Sequence, residues 1–147
     1  MSEYTNIIAA VDLSPAADPV ARRAARLAEQ CAARLTLLHV FEFTPPLDLA
    51  DSPLGSAGWA IDEQELLDLH RRQLDTLVGR LQLGAVRQEV LTGLAKTEIV
   101  RFAESEGADL LVVGTHGRHG LGLLLGSTSN AVLHRAPCDV LAVRIRD

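Results

Sequence analysis

The sequence predicts an α/β fold: a single doubly wound domain with a five-stranded parallel sheet and helices on both faces. Three observations predict it. Short, nearly continuous apolar runs, as expected of strands buried on both sides, alternate with stretches whose apolar residues recur at helical spacing. The core material is aliphatic, since 48% of the 147 residues are hydrophobic while Tyr4, Phe41, Phe43, Trp59 and Phe102 are the only aromatic ones. No internal repeat or linker divides the chain, and its length suits one domain over residues 1–147.

The elements follow in order. Asn6–Val11 is an apolar run that ends in Asp12, Leu13, Ser14 and Pro15, a turn and helix-start signal. Val20, Ala24, Leu27, Ala28 and Cys31 mark a helix over about 16–33, with Ser14 or Asp18 placed to cap it. Leu35–Phe41 is the second strand. Glu42–Ala60 carries Pro45, Pro46, Pro53, Gly55 and Gly58, a connection long enough to be a lid or a mobile excursion. Ile61–Gln82 is an amphipathic helix, Val86–Leu91 a third strand, and Leu94–Glu106 a helix stopped by Gly107. Asp109–Gly114 is the fourth strand, Ser127–Arg135 a helix stopped by Pro137, and Asp139–Ile145 the fifth strand.

Composition removes several function classes. A net charge of −5, with scattered arginines and no basic stripe, argues against nucleic acid as a partner. No stretch approaches the ~20 apolar residues of a membrane span, and the N-terminus has no basic region, so the expected location is cytoplasmic, without membrane contact. Cys31 and Cys138 stand far apart, as small buried hydrophobes of a reducing compartment.

Ligands of open α/β sheets bind beyond the carboxyl ends of the strands, where strand order reverses. Two segments at such ends have unusual composition. One is Ala10–Ser14. The other, Gly114–Ser129, holds Gly114, Gly117, Gly120, Gly122 and Gly126 and ends in Ser127 and Thr128 at a helix start. Glycines let the backbone approach a ligand closely, and a helix N-terminus offers free amides to phosphate oxygens. A phosphate cradle and an ordinary glycine-rich turn with a serine cap both fit this composition. The chain spells no Gly-x4-Gly-Lys-Ser/Thr, and Gly120-x-Gly122-x3-Gly126 follows the fourth strand rather than the first, which departs from the dinucleotide fingerprint.

Several strings carry a resemblance over nearly the whole chain. They are I-I-A-A-V-D-L-S at Ile7–Ser14, L-H-V at Leu38–Val40, A-D-L-L-V-V-G-T-H-G at Ala108–Gly117, L-L-G-S at Leu124–Ser127 and A-P-C-D-V-L-A-V at Ala136–Val143. In these the sequence resembles the universal stress protein family. The resemblance implies a parallel sheet in order 3-2-1-4-5 and a regulatory adenine-nucleotide binder rather than an enzyme. The implied ligand is ATP, AMP or ADP, with Mg2+ accompanying the phosphates. It further implies that Ala10, Val40 and Val113 line the adenine pocket and that Asp12 bonds the ribose or adenine side. Gly114, Gly117, Gly126, Ser127 and Thr128 would hold ribose and phosphates. A homodimer through the last strand, Val140–Val143, is implied as well.

ATP binders of that family carry Gly-x2-Gly-x9-Gly-Ser/Thr, whereas here Arg118–Leu125 gives a second gap of eight residues. Val11–Pro15 is also spelled as in the family's non-binding group. A non-binding stress-response dimer with a vestigial pocket is therefore the alternative, and for Asp12 an Asx-type turn or helix cap is the alternative role. His116 and His119 lack the further ligands that a metal needs. His39 is expected as a hydrogen-bonded core residue, His134 suits a helix C-terminus, and His70 receives no chemistry. No nucleophile–base–orienter set can be read, so no catalytic residue is expected.

Overall fold

A computed structural model describes residues 3–43, 62–115 and 126–145. The described elements are β1 (Asn6–Ala10), α1 (Ala17–Cys31), β2 (Arg34–Phe41), α2 (Glu63–Leu81), β3 (Arg87–Thr92), α3 (Ala95–Glu106), β4 (Leu110–Gly114), α4 (Ser127–Arg135) and β5 (Asp139–Val143). They build a five-stranded sheet of order β3-β2-β1-β4-β5, and every pairing in it is parallel. The expected architecture and strand order are both present.

Side chains alternate across each strand, and the sheet uses that period to fill two cores. Ile7, Ala9, Leu35, Leu37, Leu110 and Val112 face one side, where Val20, Ala21 and Ala24 of α1 and Leu74, Leu77 and Val78 of α2 cover them. Ile8, Leu38, Leu111 and Val113 face the other, under Ile99, Phe102 and Ala103 of α3 and Val132 of α4. The central strands are thus buried on both faces, which is why β1 and β4 read as apolar runs and β2 is broken only by the buried Thr36 and His39.

The ends of the elements differ from expectation where tertiary contacts decide. β1 stops at Ala10, although the Val11 amide still donates to the Leu38 carbonyl at 2.9 Å. β5 stops at Val143, where β4 runs out: Gly114 pairs with Val143, and the Ile145 amide turns to the Thr115 hydroxyl at 3.0 Å. Neither Ser14 nor Asp18 caps α1, whose N-cap is Ala16. The Ser14 hydroxyl is occupied by Asp12, and Asp18 is held in a two-bond ion pair by Arg80 of α2, at 2.7 and 2.9 Å. That pair spans 62 residues of sequence and holds the Asp18 carboxyl below the usual carboxylate range, chiefly through the guanidinium hydrogen bonds. The long connection expected over Glu42–Ala60 lies, from residue 44 on, outside the described residues.

Candidate functional site

β1 has β2 on one side and β4 on the other, so the chain winds away from it in both directions. Beyond the carboxyl ends of these three strands opens a cleft of about 870 Å³. Of the residues singled out from sequence, Ala10, Asp12, Val40, Val113, Gly114, Gly126, Ser127 and Thr128 all border it. Gly117, together with His116, His119, Gly120 and Gly122, lies outside the described residues.

The wall after β1 is a tight turn. Asp12 Oδ1 accepts from the Ser14 amide at 3.0 Å and from the Ser14 hydroxyl at 2.6 Å, and the Ser14 Oγ in turn accepts from the Ala16 amide at 3.2 Å. This is an Asx-type turn, the alternative role open to Asp12 from sequence. It is closed at a conformational cost, because Leu13 sits at φ 65°, a left-handed geometry that a γ-branched residue rarely takes. Among the described residues nothing donates to Asp12 Oδ2, and Asp12 borders the cleft.

The opposite wall is the start of α4. Gly126 is its N-cap in extended conformation, with no side-chain cap. The first amides of a helix have no intrahelical acceptor, and among the described residues nothing else accepts from those of Ser127, Thr128 and Ser129. The helix start is fixed to the sheet at two points: the Gly126 amide donates to the Thr115 carbonyl at 2.6 Å, and the Ser129 hydroxyl donates to the Gly114 carbonyl. Ser129, only 8% exposed, was not legible as a site residue, since nothing in S-T-S says which hydroxyl turns inward.

Gly114 has a packing task that its place in a glycine-rich stretch does not reveal. A Cβ there would lie 3.2 Å from Val20 Cγ2 and 3.3 Å from two carbons of Ile145. The missing side chain makes room for core packing on the α1 side, at a residue that also borders the cleft.

Between the two walls Ala10, Val40 and Val113 give an apolar strip, and they pack on the α3–α4 core. The side toward α2 carries a stack that the sequence did not reveal. His39 and His70 approach with Nε2 and Nδ1 2.9 Å apart, and His70 lies parallel to Phe41 with ring centroids 4.1 Å apart. His39 is thus the hydrogen-bonded core residue expected. Among the described residues no group of three or more His, Cys, Asp or Glu side chains is placed to hold a metal. Nor, among them, is any helix long and apolar enough to cross a membrane.

Comparison with known proteins adds to this geometry. Residues 3–144 match the profile of the universal stress protein family. The chain is 41% identical over 147 residues to universal stress protein A homolog 2 of Coxiella burnetii, with 99% of each chain covered. It superposes on universal stress protein UspA from Lactobacillus plantarum with a TM-score of 0.73 at 31% identity, covering 98% of this chain and 100% of that one. The universal stress protein from Archaeoglobus fulgidus in complex with dAMP shares the fold, with a TM-score of 0.64 at 21% identity and coverage of 99% and 100%.

Proposed function

Because the chain belongs to the universal stress protein family, we propose that it is a regulatory adenine-nucleotide binder of the cytoplasm whose site is the cleft beyond β1 and β4. The observation that carries this reading is the pairing, across an apolar strip, of a half-available carboxylate with a row of free amides. A purine suits the strip of Ala10, Val40 and Val113. Ribose hydroxyls donate to Asp12 Oδ2. Phosphate oxygens suit the amides of Ser127 and Thr128, the Ser127 hydroxyl and the positive end of the α4 dipole. Gly114 and Gly126, the N-cap of α4, border the cleft beside these amides, the family resemblance assigns Gly117 to the same ligand, and Mg2+ would enter on the phosphates of ATP or ADP, for which the described residues prepare no separate site. A family member of this fold in complex with dAMP supports the ligand class.

The active unit in this proposal is a homodimer formed through β5. That strand pairs with β4 alone among the described residues, and an open apolar edge invites a second copy.

One observation favours a second reading, a stress-response interaction dimer with an empty pocket: Ser14 already holds Asp12 Oδ1 twice, and the gap before Gly126 is one residue short. Calorimetric titration of ATP separates the two. On the nucleotide reading, ATP binds the wild type, and Asp12→Ala weakens it by about ten- to a hundredfold, the loss of one charge-assisted bond worth about 1.5–3 kcal/mol. A wild type silent at millimolar ATP establishes the vestigial pocket instead.

A further inference from the structure

The chain leaves the sheet at a point that the strand ladders do not hold. The ladder between β1 and β2 ends at the pair Ala10 and Leu38, and the one between β1 and β4 ends at Ala9 and Val112. The next residue, Val11, is buried, and its amide still reaches the Leu38 carbonyl at 2.9 Å. Its carbonyl has no strand partner left, and a buried acceptor without a donor is costly. The donor is a side chain: His39 Nδ1 donates to the Val11 carbonyl at 2.8 Å, from a ring only 5% exposed. Two residues on, Leu13 takes its left-handed conformation, so the grip on Val11 lies immediately before the strained turn that presents Asp12.

The chemistry of this contact is determined by its partners. A carbonyl only accepts, so His39 carries its proton on Nδ1. In the neutral ring its Nε2 is then the acceptor for His70, whose Nδ1–H donates across 2.9 Å. His70 is itself clamped face to face on Phe41, with 7° between the planes. The chain Phe41, His70, His39, Val11 therefore joins β2 and α2 to the β1 loop, and with both rings neutral it places the proton of each on Nδ1. The charged side chains bordering it in the cleft are Asp12 after β1 and Arg72 and Arg80 on α2, among the described residues. The strand neighbour of His39 in β3 is Val90, which is uncharged.

We propose that His39 is a positioning residue: oriented by His70, it holds the Val11 carbonyl and thereby sets the loop that offers Asp12 to the ligand. The second half of this statement rests on the nucleotide reading above; the first does not.

Two isosteres separate positioning from mere packing. In His39→Asn the amide nitrogen falls where Nδ1 was and still donates to Val11. In His39→Gln it falls where Nε2 was, and Val11 loses its donor. In protein without nucleotide, amide hydrogen exchange at Val11–Ser14 should stay within about threefold of wild type for His39→Asn and rise about tenfold for His39→Gln, the worth of one hydrogen bond. ATP affinity should fall in the same order. Equal exchange in two variants of equal melting temperature would overturn the proposal. So would nitrogen NMR of the wild type showing His39 protonated on Nε2 alone, a measurement that needs no variant to fold. If exchange separates the isosteres while none of the three proteins binds ATP, the loop grip stands and the nucleotide reading falls.

Discussion

Gly114→Ala tests whether this glycine serves the core or the ligand. The new Cβ would stand 3.2 Å from Val20 Cγ2 and 3.3 Å from Ile145 Cδ1 and Cγ1, against about 3.5–4.0 Å for relaxed carbon contacts. Ile145 ends in a rotatable ethyl group and can give way. Val20 cannot, because it is 3% exposed on the buried face of the first turn of α1 and a valine in a helix has essentially one rotamer. The strain must therefore pass into the α1 backbone, at about 1–2 kcal/mol for a modest overpacking. The glycine φ is not left-handed, so alanine also gains about 0.4–1 kcal/mol from a stiffer unfolded chain. The net expectation is a loss of up to about 1.6 kcal/mol, or up to about 5 °C in melting temperature for a domain of this size. Thermal and urea melts of wild type, Gly114→Ala, Val20→Ala and the double variant close a cycle. In the Val20→Ala background the obstructing methyl is gone, and Gly114→Ala should become neutral or stabilising. ATP affinity should stay within about twofold. An equal cost in both backgrounds, or lost ATP binding with no loss of stability, refutes the packing account.

Two further outcomes follow from the ends of the sheet. Burial works against the Asp109 carboxylate, but the amides of Thr5 and Asn6 at 2.8 and 3.1 Å and the Thr5 hydroxyl at 2.9 Å outweigh it, and its carboxyl is held below the ordinary value. Stabilisation from a depressed carboxyl is complete above its unfolded value of about 3.9 and is lost as pH falls through the folded one. The stability gap between wild type and Asp109→Asn should therefore be constant from pH 7 to about 5 and shrink below about 4; urea midpoints that show a pH-independent gap would contradict this. At the other edge, the Val143 carbonyl accepts from Thr115 of the β4 side at 2.9 Å, so strand alternation turns the exposed Ala142 amide outward. Ala142→Pro should leave the monomer folded and abolish a β5-mediated dimer; light scattering that finds the same mass for both proteins at micromolar concentration would rule that interface out.

The sequence announces this architecture because β1 and β4 are covered on both faces, and no polar residue interrupts Ile7–Ala10 or Leu110–Val113. Ile7, Ile8 and Ala9 are completely buried although they point to alternate sides. Apolar runs and helical periodicity do not, however, say which strands pair; the order 3-2-1-4-5 came from the spelling of Ile7–Ser14 and Ala108–Gly117, through resemblance. The site was legible where composition is local: a carboxylate after β1, and glycine, serine and threonine before a helix. It was illegible where long-range packing assigns the roles. Gly114 answers to Val20 and Ile145, His39 to a ring 31 residues away, and Asp18 to a guanidinium 62 residues away. Capping likewise failed at α1, where local spelling nominates Ser14 and Asp18 and both are engaged elsewhere.

Asp12 is where the two functional readings part: on one its Asx turn prepares the carboxylate for a ligand, on the other the turn is all that the carboxylate serves. A carboxylate offers about four acceptor positions. Ser14 takes two of them, both on Oδ1, at 2.6 and 3.0 Å, which fixes the plane of the group and leaves Oδ2 for donors in the cleft. Vicinal ribose hydroxyls are donors of the right kind. If the carboxylate serves a nucleotide, losing the Ser14 hydroxyl should cost affinity by unlocking its orientation, even though every ligand contact stays chemically available. Ser14→Ala keeps the amide bond at 3.0 Å and removes the hydroxyl bond, so ATP affinity should fall about three- to tenfold, short of the loss in Asp12→Ala. Folding stability should fall by no more than about 1 kcal/mol, since the turn is half-buried and water can replace the hydroxyl. Calorimetry and melting on the same protein give both numbers. A Ser14→Ala protein that binds ATP as tightly as wild type would show that the turn orients nothing for the ligand, and that Asp12 is there to close the loop.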